Sequence, residues 1–188
     1  MRVVAGTYRG RRLRAPAGLA TRPTAERVRE ALFDILGEHV VRARVLDAYA
    51  GSGSLGIEAL SRGADSVVFV DSSRQAVAAI QANLASLGLA QSQTSRIIVS
   101  PLERATRQLS RLGLFDLWLV DPPFALVRDR SVGRALSTLM TAGLLQTDGM
   151  VVLEFPSDEE CPCVEGLEPE EIRHYGDSRL AFLRHQID

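Results

Sequence analysis

The sequence predicts an α/β fold, in which a mostly parallel sheet is covered by helices on both faces. Three observations lead there. From residue 44 onward, short apolar segments alternate with segments of helical period. Three of the apolar segments run into an acid: Asp47, Asp71 and Asp121. A glycine loop, "AGSGSLG", follows the first of them. Sheets of this kind bind ligands beyond the carboxyl ends of their strands. The acids and the glycines all fall at that edge.

The elements follow in order. "MRVVAGTYRGRRLRAP" alternates weakly and turns at Gly6 and Gly10, which predicts a short hairpin. "GLATRP" is a connector. Thr24 is placed to cap a helix on which Val28, Ala31, Leu32, Ile35 and Leu36 share one face, and Gly37 can end it. "RVLDAYA" is an apolar strand leading into the glycine loop, and "GIEALSRGA" is a helix closing at Gly63. "SVVFVD" is a second strand, and "SRQAVAAIQANLASLG" an amphipathic helix with Gly88 past its end. "SRIIVS" is a third strand, followed by a helix over Leu102 to Leu112. "LFDLWLVDPPF" is a fourth strand ending in a rigid turn, and residues 130–145 read as helical. "GMVVLEF" is a fifth strand. "EIRHYG" and "RLAFLRHQ" form a closing pair, the second expected as an antiparallel strand at the sheet edge.

A chain of 188 residues, 46% hydrophobic, suits one domain with a small appendage. The expected division is a basic extension over residues 1–22 and the sheet domain over 23–188. Net charge is −1, but residues 1–29 carry +7 and residues 154–177 carry −8. A basic head points to a polyanion partner. Every basic residue is arginine, which binds phosphate bidentately and stacks on bases. Arg9, Arg11, Arg12 and Arg14, with Tyr8 among them, suit RNA phosphates and bases. Arg22, Arg27 and Arg29 stay open between that role and pairing within the protein. Cys161 and Cys163, in "CPC", and three scattered histidines do not make a tetrahedral metal site, so no metal is expected. The start shows no signal-peptide pattern, and no stretch reaches the length of a membrane span. A soluble, cytoplasmic, monomeric protein is expected.

Gly51, Gly53 and Gly56 are spaced G-x-G-x-x-G, the dinucleotide fingerprint. A methyl donor, S-adenosylmethionine, has no phosphate but has an ammonium and a sulfonium. Asp47, four residues before Gly51, suits that cationic end. Asp71, 20 residues after Gly51, can accept ribose hydroxyls or cap the helix that follows it. The ribose role fits both cofactors.

"LVDPPF" separates them. Two consecutive prolines stiffen the bend, and the residue before a proline is held extended. The bend presents the Asp121 carboxylate, the Pro122 carbonyl and the Phe124 ring. Two acceptors and a stacking face suit a planar exocyclic amine. Hydrogen bonds accepted from that amine localise its lone pair for attack on a sulfonium methyl.

With these residues in view, the chain resembles the bacterial RsmD-type methyltransferases, which modify the 2-amino group of a guanine in small-subunit ribosomal RNA. The likeness rests on "GTYRGRRL", "TRPTAERVREALFDIL", "LDAYAGSGSLGIEALSRGA" and "VDPPF". It implies a class I methyltransferase fold with sheet order 3-2-1-4-5-7-6 and S-adenosylmethionine as donor. It also implies cofactor residues Asp47, Gly51, Gly53 and Asp71, and target-amine residues Asp121, Pro122 and Phe124. Pro101 stands where relatives often carry an adenine-binding polar residue, so Ser100 or the backbone near Leu102 is expected to replace it. The target base must leave its stack, which favours an unpaired loop. Within the same fold, DNA adenine or a protein glutamine is the alternative acceptor.

Overall fold

The computed structural model describes residues 1–16 and 23–186, without the side chains of residues 23–25. The expected cap at Thr24, the residue Arg22 and most of the "GLATRP" connector lie outside the described residues.

Seven strands form one sheet in the order β3-β2-β1-β4-β5-β7-β6. They are β1 (Arg44–Ala48), β2 (Ser66–Asp71), β3 (Ser95–Val99), β4 (Phe115–Val120), β5 (Leu145–Pro156), β6 (Leu167–Tyr175) and β7 (Ser178–His185). The first five are parallel; β7 pairs antiparallel with both β5 and β6. Helices α1 (Pro23–Leu36), α2 (Ser54–Ser61) and α3 (Arg74–Ser86) precede α4 (Leu102–Ser110), α5 (Phe124–Arg128) and α6 (Ser131–Thr141).

Alternation along the strands sorts the core into two layers. Leu46, Val68, Trp118 and Val151 point to the side packed by Leu102, Leu109, Leu136 and Leu139 of α4 and α6. Val45, Phe69, Leu119 and Val152 point to the side packed by Leu32, Phe33, Ile57 and Ile80 of α1, α2 and α3. Val3 and Leu13 of the N-terminal hairpin belong to this second layer.

Three expectations change. The helix expected over residues 130–145 ends at Thr141; Gly143 takes a left-handed φ of 65°, and Leu145 already pairs with Phe115. The strand over "RLAFLRHQ" is not at the edge: β7 sits between β5 and β6, because its Leu180–Leu183 run is buried whereas β6 is exposed along nearly its whole length. The short helix α5 directly after the prolines was not expected. Among the described residues, no helix is long and apolar enough to cross a membrane.

The hairpin is fastened to α2. Glu58, fully buried, accepts hydrogen bonds from Val4 N (2.8 Å) and Ala5 N (2.9 Å) and pairs with Arg62 (3.0 Å). Thr7 N donates to the Ser61 carbonyl (2.8 Å) and Tyr8 N to the Ser61 hydroxyl (2.9 Å). At Gly6, φ is 78°, and a Cβ there would stand 1.8 Å from the Ser61 carbonyl oxygen. Only glycine permits this approach.

Candidate active site

A cavity of about 1370 Å³ opens at the carboxyl ends of the parallel strands. Its walls include Gly51 and Ser52, Asp71, the Ser100–Leu102 turn, the Asp121–Phe124 bend and Glu154. The structure therefore brings together Gly51, Asp71, Ser100, Leu102, Asp121, Pro122 and Phe124, as the sequence predicts.

The glycine loop is held from beneath. Residues 49, 51 and 53 all have positive φ (59°, 57° and 76°), a shape cheap at Gly51 and Gly53 and strained at Tyr49. Asp71 fixes it: one carboxylate oxygen accepts from Gly51 N and the other from Ser73 N, each at 2.8 Å. Ser73 in turn caps α3 by accepting from Ala76 N. Asp71 is thus part of the α3 start and of the cavity wall together. Asn83, buried, ties loop to hairpin, donating to the carbonyls of Ser52 (2.9 Å) and Arg14 (3.0 Å) and accepting from Arg14 N (2.8 Å).

Two expected cofactor residues lie behind the wall rather than on it. Asp47 is 1% exposed, and one oxygen accepts from Gly56 N at 2.8 Å. Its other oxygen is buried without a partner among the described residues. Burial, partly offset by the Gly56 bond, holds this carboxyl well above the ordinary carboxylate range. Gly53 starts α2, and a Cβ there would press on Phe69 and Ile80 at 3.2 and 3.3 Å. Both residues shape the loop from below, since Asp47 points into the α2 side of the sheet.

On the opposite wall, Asp121 follows β4 and is reached by solvent through the cavity. It accepts no hydrogen bond from the described residues. Burial within the surrounding walls and the neighbouring Glu154 carboxyl raise it to about 8. Glu154 is also raised, by burial, with the Ser178 hydroxyl acting against it. Pro122 is buried and Phe124 is half-buried at the first turn of α5. Ser100 donates its hydroxyl to the Pro101 carbonyl (2.9 Å) and its N–H to the Asp71 carbonyl (3.1 Å), so the turn is tied to the end of β2.

Sequence reasoning missed Glu154 and the Tyr175–Ser178 turn and left Arg29 open between RNA contact and pairing within the protein; all are on the cavity wall. Arg29 is only 5% exposed; it donates to the Arg2 carbonyl (2.6 Å) and lies 3.7 Å from Glu58, so it is an internal brace. Arg9, Arg11, Arg12 and Arg14 are exposed. Arg11 is tied to the Ser86 carbonyl. Among the described residues, Arg9, Arg12 and Arg14 pair with no carboxylate. They are not equally close to the cavity. Met1 and Ala15 at the hairpin base line it, whereas the tip packs on Ser61 at the far end of α2. Eight residues of helix separate the two ends, about 12 Å at 1.5 Å per residue.

Strand order 3-2-1-4-5-7-6, a glycine loop after β1 and an Asp-Pro-Pro-Phe bend after β4 in one cavity define a class I methyltransferase. A family model described as "Conserved hypothetical protein 95" matches residues 1–184, and the chain belongs to that family. It is 35% identical to YlbH of Bacillus subtilis, across 86% of each chain. It is 33% identical to the ribosomal RNA small subunit methyltransferase D of Escherichia coli, across 87% of this chain and 79% of that one. The solved structure of a hypothetical protein of Thermus thermophilus superposes with a TM-score of 0.80 at 30% identity, covering 98% of this chain and 99% of that one.

Proposed function

We propose that this protein methylates the exocyclic 2-amino group of a guanine in small-subunit ribosomal RNA, with S-adenosylmethionine as donor. It acts as a cytoplasmic monomer on the small ribosomal subunit or its RNA. The observation that carries this reading is Asp121: a carboxyl without a partner among the described residues, on a proline-stiffened bend, facing the same cavity as the glycine loop. A polar group in such a place is satisfied by what binds there. The name of the E. coli relative supports the ribosomal substrate.

The cavity fits the donor. Asp47, Asp71 and Asp121 stand close enough for the charges of the latter two to act on Asp47. Carboxyls clustered in this way ionise most readily beside a cation, so the site favours a sulfonium and an ammonium over a pyrophosphate. Asp71 holds the ribose with lone pairs that Gly51 and Ser73 leave unused, and Leu102 and Ala76 supply apolar wall for the adenine. Bound S-adenosylmethionine supplies an electrophilic methyl carbon and keeps the electron pair of the broken carbon–sulfur bond.

The protein's part is positioning and proton handling. Asp121 and the Pro122 carbonyl each accept one N–H of the target amine, and Phe124 stacks on the base. Held in this way, the amine lone pair points in line at the methyl, which is the main contribution to rate. As the N–C bond forms, the amine gains positive charge and one proton moves to the Asp121 carboxylate. In the empty site, burial and Glu154 hold this carboxyl up at about 8; the amine's N–H donors favour its ionised form, which then takes the proton. Arg12 and Arg14 bind RNA phosphates at the hairpin base, and Arg9 and Arg11 extend the contact away from the site.

The test offers the protein methyl-labelled donor with three acceptors: small subunits from cells lacking it, duplex DNA, and a protein bearing accessible glutamine. Label is expected in small-subunit RNA, in a guanine nucleoside after digestion. Label in DNA or in the protein acceptor overturns the reading.

A further inference from the structure

We infer that Glu154 is the residue that selects guanine, by accepting the N1–H of the base whose 2-amino group Asp121 and Pro122 hold. The inference rests on the reading of Asp121 as the amine acceptor.

The placement comes from sheet register. In the parallel pair β4·β5, Val120 faces Leu153. One residue further come Asp121, just past the end of β4, and Glu154 on β5. Both lie with Leu32, Leu119 and Val152 around one small pocket on the α1 side of the sheet. Neighbouring strands lie about 4.8 Å apart, so the two carboxyl groups stand side by side. Both line the cavity, and the charge of Glu154 acts directly on Asp121. β7 backs the pair: Leu180 is opposite Glu154 in register, and Ser178 sits beside its carboxyl.

A second acceptor beside an amine acceptor is costly to build, since like charges repel and burial disfavours both. It is useful when the ligand brings two adjacent donors. Guanine does so, because N1–H lies next to the 2-amino group. Adenine and cytosine do not: next to their amino groups stands an unprotonated ring nitrogen, itself an acceptor. A carboxylate facing that lone pair rejects them. Guanine's two donors, by contrast, stabilise both carboxylates in the ionised form and relieve the repulsion of the empty site. Asp121 thus holds the reacting nitrogen, and Glu154 reads the atom beside it.

The experiment changes the acceptor at residue 154 and the donor on the base together. Small-subunit RNA is prepared with its target guanine retained or replaced by 2-aminopurine through splint ligation. Each RNA is assayed free and in reconstituted particles. 2-Aminopurine keeps the amine but has an acceptor at N1. Wild-type protein is expected to prefer guanine by about 100-fold or more in kcat/KM. Glu154→Gln, whose amide donates to that N1, is expected to bring the preference within about 10-fold, with donor affinity unchanged by calorimetry. Comparing ratios cancels the loss of O6, which is the same for both proteins. Glu154→Asp keeps an acceptor and is expected to retain the preference at a lower rate; it serves also if the glutamine variant folds poorly. If Glu154→Gln slows both substrates equally and leaves the ratio as in the wild type, Glu154 does not read the base. If the wild type methylates neither RNA, the guanine reading itself falls, and the role of Glu154 with it.

Discussion

The two walls of the cavity differ in how their carboxylates are satisfied. On the glycine-loop side, Asp71 accepts from Gly51 and Ser73, and Asp47 accepts from Gly56. On the bend side, Asp121 accepts nothing from the described residues, and among them Glu154 is served by Ser178. The first wall has Asp71 satisfied on both oxygens and offers a fixed shape to a ligand. Asp47, behind it, keeps one oxygen buried without a partner among the described residues. The second wall is left incomplete among the described residues, and in the proposed reaction the incoming base completes it. On that reading the first wall carries shape and the second carries chemistry.

Substitutions can break this contrast. The largest effect is expected from Asp121→Ala, which removes the proposed acceptor for the reacting nitrogen. It should lower kcat by about 10³-fold, with the donor Kd changed less than about 3-fold by calorimetry. Loss of donor affinity on the scale of the rate loss would contradict the division between the walls.

Asp71→Ala should do the opposite. It removes the acceptor for Gly51 and Ser73 together with the proposed ribose contact, so donor affinity should fall about 10- to 100-fold. The variant should also melt below the wild type. Saturating donor should restore most of kcat; a kcat that stays low at saturation would place Asp71 in the chemistry.

The hairpin tests the satisfied side from further away. Deleting it would uncover Val3 and Leu13 and strip the N–H partners from buried Glu58, so a truncation confounds RNA binding with folding. Arg12→Gln with Arg14→Gln keeps those contacts. This pair should weaken RNA binding and lower the slope of log affinity against log salt by about 1 to 2. Arg9→Gln, about 12 Å along α2, should alter methylation rate less than either. Gly6→Ala, by contrast, drives a Cβ into the Ser61 carbonyl and should lower Tm by detaching the hairpin.

The smallest effect separates the walls by sign. Asp121 has a folded-state value near 8 against about 4 when unfolded. The folded state therefore favours the protonated form, and stability falls as pH rises from about 4 through about 8. Asp121→Asn cannot ionise, so it should melt above the wild type at pH 8 and converge with it near pH 4. Solvent reaches Asp121 through the cavity, so the gain is about 1 kcal/mol at most. Asp71→Asn should destabilise at pH 8. The same sign for both variants would erase the contrast.

The satisfied wall was the more legible in sequence. Gly51 and Asp71 follow from strand, loop and helix in succession, a local pattern with a local cause. Asp121 was legible because two prolines leave little choice of backbone. Glu154 was not, because "MVVLEFP" reads as a buried strand and its partner depends on register. That register shifts between Phe115 and Leu117, where β5 runs irregularly, and no local pattern predicts it. Arg29 stayed open in the sequence between RNA contact and an internal pair, since its burial depends on Glu58 lying 29 residues away on α2. Asp47 was legible as a strand-end acid, but not its place beneath the loop, behind the cavity wall. Whether a strand-end acid points into a cavity or under the next helix is settled by the packing of Gly56.

The central claim is that Asp121 presents an acceptor to the 2-amino group of a guanine beside the donor's methyl. Mass mapping of small-subunit ribosomal RNA tests it most directly, using cells with the wild-type protein, without it, and with Asp121→Ala alone. The account predicts one guanine that carries a methyl on N2 in the first and is unmodified in the other two. A modification pattern identical in all three, or a methyl lost from a base other than guanine, would contradict it.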